Sequence, residues 1–251
     1  AFSMQGNYIS DNDDFFAAVS VNKSDMSRDY IANNPLNGSK LQTFGNLDFD
    51  ANNVILALQW QAQLSENWQL ISAAQMVNST RDISDNTASG YDQNKSYDNI
   101  NPKLGLIYHA SDDIRFFANI SSTSEAPTYW ELVSASVSPT DTSVAAIQLN
   151  DLDSQDATTI EIGTMGSFND TQWNLAIYRS NIDNELISIV NDFAVNGQTS
   201  NYQEGTVHQG IELEIKQGIG TDIFVEEEGR LEPRQEDYPD DLPGYQQAVA
   251  N

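Results

Sequence analysis

The strongest constraint on the fold is an alternation of side-chain character through residues 103–121. Leu104, Leu106, Tyr108 and Ala110 alternate with Lys103, Gly105, Ile107 and His109; after Ser111-Asp112-Asp113 the pattern resumes as Ile114, Phe116, Ala118 and Ile120 against Arg115, Phe117, Asn119 and Ser121. A repeat of two sends successive side chains to opposite faces of a strand, and two such runs across a short polar turn make a hairpin. One face is almost wholly apolar and the other mixes polar, small and charged groups. That suits either a soluble sheet with one buried side or a barrel wall with lipid outside and water inside, and periodicity alone does not choose.

The pattern recurs along the chain. Residues 2–9 and 14–23 read as a hairpin around Ser10-Asp11-Asn12-Asp13, with Ala17, Val19 and Val21 opposed to Phe16, Ala18, Ser20 and Asn22. Val54, Leu56, Leu58, Trp60, Ala62 and Leu64 alternate with Ile55, Ala57, Gln59, Gln61 and Gln63; Ser65-Glu66-Asn67 turns the chain into a strand carrying Trp68, Leu70, Ala74 and Met76. A row of glutamines is costly in a dry core without partners and natural on a wetted wall. Further strands are expected at 158–168 and 171–182. Short connections at 10–13, 65–67, 111–113 and 168–171 thus alternate with long ones at 24–46, 79–100, 123–157 and 191–201, where Asn33-Asn34-Pro35, Asn37-Gly38 and Ser89-Gly90 signal turns. Transmembrane barrels show this alternation, and compact domains seldom keep several structureless loops of such size. Trp60, Trp68, Tyr108, Phe116, Trp173 and Tyr178 fall near strand ends or on apolar faces, where interfacial girdles sit; in a soluble sandwich the same rings would be packing residues.

The segments PKLGLIY (102–108), SDD (111–113), FFANIS (116–121) and EAPTYWEL (125–132) resemble, in that order, the C-terminal half of the barrel in TonB-dependent outer-membrane receptors. A second set follows in the matching order: Thr158, Glu161 and Gly163 in ATTIEIG, then Trp173 to Tyr178, Ile182 to Ile187, and Gly210-Ile211-Glu212-Leu213. The resemblance runs from about residue 46 to 216. It implies an all-β fold, an incomplete antiparallel transmembrane β-barrel of about ten meander strands with short periplasmic turns and long extracellular loops. By the same resemblance, residues 1–221 are part of such a barrel, lying in the outer membrane of a Gram-negative bacterium against its lipid. The ligand would be a ferric siderophore or similar large nutrient, and the TonB system would act through a plug domain absent from this chain. With plug and final strands missing, the chain alone is expected not to transport. Residues 222–251, with Glu226-Glu227-Glu228 and Pro233, Pro239 and Pro243, read as an acidic tail, disordered or unrelated to the barrel.

Charge narrows the partners. With 37 acidic against 11 basic residues and a net charge of −26, the chain lacks the cations that neutralise phosphates, which excludes nucleic acid and disfavours anionic lipid. There are no cysteines, and no apolar run of about 18 residues that would make a spanning helix. His109 and His208, the only histidines, sit in no ligand-spaced motif, and no nucleophile elbow accompanies the serines. No catalytic residue, metal or cofactor is therefore assigned, and an enzyme is not expected. Asp11, Asp13 and Asp14, and Asp151, Asp153 and Asp156, could offer oxygens to calcium but complete no known loop pattern, so they read as solvated turns. Lys103, Arg115, Glu161, Glu212 and Glu214 fall on the mixed face, to pair across strands or to meet a plug. Glu125, Tyr129, Trp130 and Glu131 are the candidate ligand-binding residues, since aromatic and polar groups together suit a bulky chelate. Two rival readings remain at this point: a porin-like passive channel, and a soluble all-β binding or adhesion module whose apolar face lies in a core.

Overall fold

The computed structural model describes residues 1–34, 36–87, 92–138, 145–189, 198–219 and 223–231. Its strands are β1 (Phe2–Ile9), β2 (Asp13–Asn33), β3 (Lys40–Gln63), β4 (Trp68–Asp85), β5 (Gln93–His109), β6 (Ile114–Glu125), β7 (Val133–Val137), β8 (Ala145–Leu149), β9 (Gln155–Phe168), β10 (Thr171–Asp183), β11 (Glu185–Ile189), β12 (Gln198–Tyr202), β13 (Thr206–Ile219) and β14 (Ile223–Leu231), with one helical turn, α1 (Tyr129–Leu132). Ten of them form one antiparallel sheet in the order β1-β2-β3-β4-β5-β6-β9-β10-β13-β14. Two small hairpins, β7–β8 and β11–β12, are inserted between β6 and β9 and between β10 and β13.

The ladder register carries the sequence alternation across the whole sheet. Met4, Val19, Leu56, Met76 and Ile100 stand opposite one another in a row over β1–β5; Ala118, Ile162, Ile177 and Ile211 continue the same face over β6, β9, β10 and β13. This outward face is apolar and uncovered among the described residues, with Met4 65 % and Ile162 53 % exposed. That exposure is what a lipid-facing wall requires, whereas a soluble module would need this face in a core. The opposite, inward face holds Gln59, Lys103, Ser121, Thr159 and Ser180 in one row and Asn119, Glu161 and Tyr178 in the next. Tyr178 therefore lies inward beside Glu161 and does not join the girdle. Trp60, Trp68, Tyr108, Phe116 and Trp173 do share the outward face at the short-turn end, joined by Tyr8 and Phe15. Phe15 stacks on Trp60 at 6.2 Å, and Trp68 lies 4.7 Å from Tyr108.

The short connections fall as expected, including the two-residue turn after Phe168 where Asn169 takes a left-handed φ of 52°. The long ones are largely not loops. Residues 24–33 and 40–46 extend β2 and β3, which are joined between Asn33 and Lys40 where the Gly38 N–H donates to the Asn34 carbonyl at 2.8 Å, and 79–85 and 93–100 extend β4 and β5. Within 123–157 lie the end of β6, α1, β7, β8 and the start of β9, and β11–β12 brackets the loop expected at 191–201. Pro35, Ser89-Gly90 and residues 191–197 lie outside the described residues. The misreading has a physical cause. Beyond the apolar band the outward face meets water, so Asp25, Asp50 and Asp82 stand in register there, while the inward face turns apolar at Tyr30, Leu47, Phe49, Ile83 and Tyr97. The repeat of two persists with its sign reversed, and the Asn, Asp and Ser content of one face resembles a loop.

Ile223–Leu231, assigned above to the tail, pairs with β13 from Ile219↔Ile223 to Ile211↔Leu231. The sheet thus continues past residue 221, and β14 is its outermost strand among the described residues. Residues 232–251 lie outside the described residues.

Candidate functional site

Residues 126–138 leave β6 and, with residues 145–154, lie across the inward face of the β2–β5 extensions. Pro127, fully buried, ends the extended run. Thr128 and Glu131 then form a capping box that starts α1: Glu131 Oε2 accepts from the Thr128 N–H at 2.6 Å and from Thr128 Oγ1 at 2.9 Å. The turn aims Tyr129 and Leu132 into a core with Tyr30, Leu47, Phe49, Ile83, Val133, Ala135, Ile147 and Leu152. Each large apolar side chain buried there contributes roughly 1.5–3 kcal/mol.

Polar ties fix the same segment to the wall. Arg81, buried on β4, donates from Nε to the Pro127 carbonyl at 3.1 Å and from Nη1 to Asn53 Oδ1 at 3.0 Å and the Thr80 carbonyl at 2.9 Å. Burial lowers the pKa of this guanidinium. On β5, Lys95 Nζ and the Tyr97 hydroxyl both donate to the Leu152 carbonyl, at 2.8 and 3.1 Å, and Lys95 pairs with Asp151. The Lys95 ammonium holds the Asp151 carboxyl below its ordinary value, and burial pushes the Tyr97 hydroxyl up to about 12. Asn201 ties in the second hairpin, accepting from the Asp153 N–H at 2.8 Å and donating to the carbonyls of Asp153 and Asn184.

The four candidate residues meet different fates. Glu125, at the end of β6, accepts from Gln155 Nε2 at 3.0 Å. Glu131 is engaged in the cap. Tyr129 is 4 % exposed, with its hydroxyl 3.0 Å from that of Tyr30 and its ring edge-on to Phe49. Trp130 is 53 % exposed and stands edge-on to Tyr129. Above it lies a group the sequence reading missed: the Arg28 guanidinium carbon is 4.4 Å from the Trp130 ring centroid and 5.0 Å from that of Tyr30. Arg28 has no carboxylate partner among the described residues. Its signal was its parity with Met26 and Tyr30, hidden in a stretch read as loop.

The charged inward residues are partly paired. Glu161 accepts from Asn119 Nδ2 at 3.0 Å, and Lys216 pairs with Glu214 at 2.8 Å along β13. His109 and Arg115 line a cavity of about 480 Å³ at the short-turn end together with Glu214 and Lys216. His208 belongs to another region, 3.5 Å from Glu185 Oε1. No group of three His, Asp or Glu residues arranged to hold a metal occurs among the described residues.

Comparison with solved structures finds the same wall. The ferric yersiniabactin uptake receptor FyuA from Yersinia pestis superposes with a TM-score of 0.66 at 12 % identity, over 91 % of this chain and 34 % of that one. The copper transporter OprC gives 0.68 at 11 % identity, over 89 % and 36 %. The alcaligin outer membrane receptor FauA from Bordetella pertussis gives 0.54 at 13 %, over 93 % and 38 %. At these identities the likeness shows the fold, and the chain spans about a third of the length of the structures it matches. No curated protein matches it in sequence. The family model described as TonB dependent receptor-like, beta-barrel matches residues 2–231, from β1 to the last residue of β14. That family consists of bacterial outer-membrane receptors and transporters and is not a family of enzymes. A meander with lipid-type residues outward, short turns at one end and folded insertions at the other is the wall such a match requires, and the chain belongs to the TonB-dependent receptor β-barrel family.

Proposed function

We propose that this chain is part of the barrel of a Gram-negative outer-membrane receptor that takes up a ferric siderophore or a similar large chelate. Trp130 and Arg28 form one wall of the ligand's path, with Tyr129 packed beneath them in the core. Uptake is driven by the TonB system through a plug domain. The observation that carries this reading is the exposed Trp130 ring under an Arg28 guanidinium that has no carboxylate partner among the described residues, in a chain of net charge −26. An aromatic face beside a cation suits a ligand that is bulky, flat in part and anionic. The capping box and the buried Tyr129 and Leu132 hold the turn that carries Trp130, which lowers the ordering cost at binding.

The test is fluorescence titration of the protein at its full natural length with ferric chelates of opposite net charge. Saturable quenching by an anionic chelate, weakened about tenfold by Trp130→Ala and by Arg28→Gln, is the expected result. Equal binding by both variants would remove these residues from the path. Absence of binding by any ferric chelate would remove the proposed cargo.

A further inference from the structure

The outward face is not uniformly filled. Gly6, Ala17, Leu58 and Ala74 stand in register across β1–β4, and three of the four are small. On the short-turn side they are bordered by Tyr8, Phe15 and Trp60, and on the other by Met4, Val19, Leu56 and Met76. Small residues between two rows of large ones leave an apolar groove of about 700 Å³, lined by Gly6, Tyr8, Phe15, Ala17, Trp60 and Ala74 among others. A Cβ built at Gly6 meets nothing within 4 Å.

We propose that this groove is a binding site for one acyl chain of an amine-headed glycerophospholipid in the periplasmic leaflet. The groove is continuous with the lipid-facing band, where hydrocarbon and not water is the surrounding medium. Its depth follows from its rim. Trp60 Nε1 donates to Asp13 Oδ1 at 2.8 Å, beside the first short turn, which sets the aromatic row at headgroup level. Short turns mark the periplasmic side of such barrels, and that leaflet holds glycerophospholipid, not lipopolysaccharide. The headgroup is selected by charge. The two turns beside the groove, Ser10 to Asp13 and Leu64 to Asn67, contain Asp11, Asp13 and Glu66 and neither Lys nor Arg. They repel an anionic headgroup and attract an ammonium.

Native mass spectrometry tests this on the delipidated protein at its full natural length, titrated with phosphatidylethanolamine or phosphatidylglycerol carrying identical chains. The wild type is expected to retain a phosphatidylethanolamine adduct about tenfold more tightly than the phosphatidylglycerol one. Gly6→Leu with Ala17→Leu fills the groove from the lipid side and should abolish the adduct. Ala74→Leu, on another strand, should do the same and guards against a folding defect in the first variant. Asp11→Asn with Asp13→Asn should keep the adduct and erase the headgroup preference. Equal retention by filled and wild-type proteins overturns the site, as does equal affinity for both lipids in the wild type. A dimer that only the filled variants lose would assign the groove to a second copy instead.

Discussion

A Cβ at Gly163 would collide with the Phe117 ring and the Leu175 carbonyl oxygen, because Phe117 stands directly opposite Gly163 in the β6–β9 ladder and lays its ring over it. Gly163→Ala is expected to destabilise the folded wall by about 1–3 kcal/mol in reversible urea unfolding, as overpacking does elsewhere, whereas Gly6→Ala, facing open space, should stay within about 0.5 kcal/mol. Tyr97 gives a prediction in pH. Its hydroxyl ordinarily titrates at 10.0 and is raised to about 12 here, chiefly by burial. The neutral form is the one that donates to the Leu152 carbonyl, so its contribution is complete below the unfolded value and lost as pH climbs through the folded one. Proteolytic protection of residues 145–154 should fall between those two values, and Tyr97→Phe should remove the part of that step due to the phenol.

At the scale of elements, the strap from α1 to β9 depends on its start. Thr128→Ala removes the capping hydroxyl and should cost about 1 kcal/mol. Hydrogen exchange at residues 129–133 is the measurement, and faster exchange there with β6 unchanged is the expected result. The strands within the membrane band were legible because one solvent, hydrocarbon, stood on one side and water on the other, so Leu56 and Gln59 could be sorted by parity alone. Above the band the same rule needed a second boundary. Asp25 faces water outward and Tyr30 is covered inward by Tyr129, a residue that reaches it only through the fold. Glu131 and Tyr129 were recognisable as a motif, but the cap and the core that occupy them follow from a single helical turn whose side-chain directions no repeat of two describes. Arg28 was illegible as a site residue for the same reason, since its aromatic neighbour arrives from the β6–β9 insertion. Ile223–Leu231 was missed because composition was read as a barrier to pairing at a position where the strand has only one partner among the described residues.

The whole wall is a stack of zones, and a charge placed at each height should report which solvent it meets. Ile162 lies in the apolar band, opposite Ala118 and Ile177. In a membrane, Ile162→Arg moves a guanidinium into hydrocarbon at a cost of about 2–4 kcal/mol; on a soluble sheet the same exposed position would tolerate it within about 0.5 kcal/mol. Asp50 shares the outward face of β3 but stands beyond the band, directly between Asp25 and Asp82. Like charges opposite one another in a ladder oppose pairing, so Asp50→Arg should be neutral or stabilise by up to about 1 kcal/mol, a gain that salt diminishes. Unfolding of both variants from lipid bilayers tests the pair together. Opposite signs at two positions with the same orientation would locate the upper edge of the hydrocarbon between Asp50 and the row of Ile162, which meets β3 at Ala62. A loss at neither position would mean that the apolar face does not lie in a membrane at all.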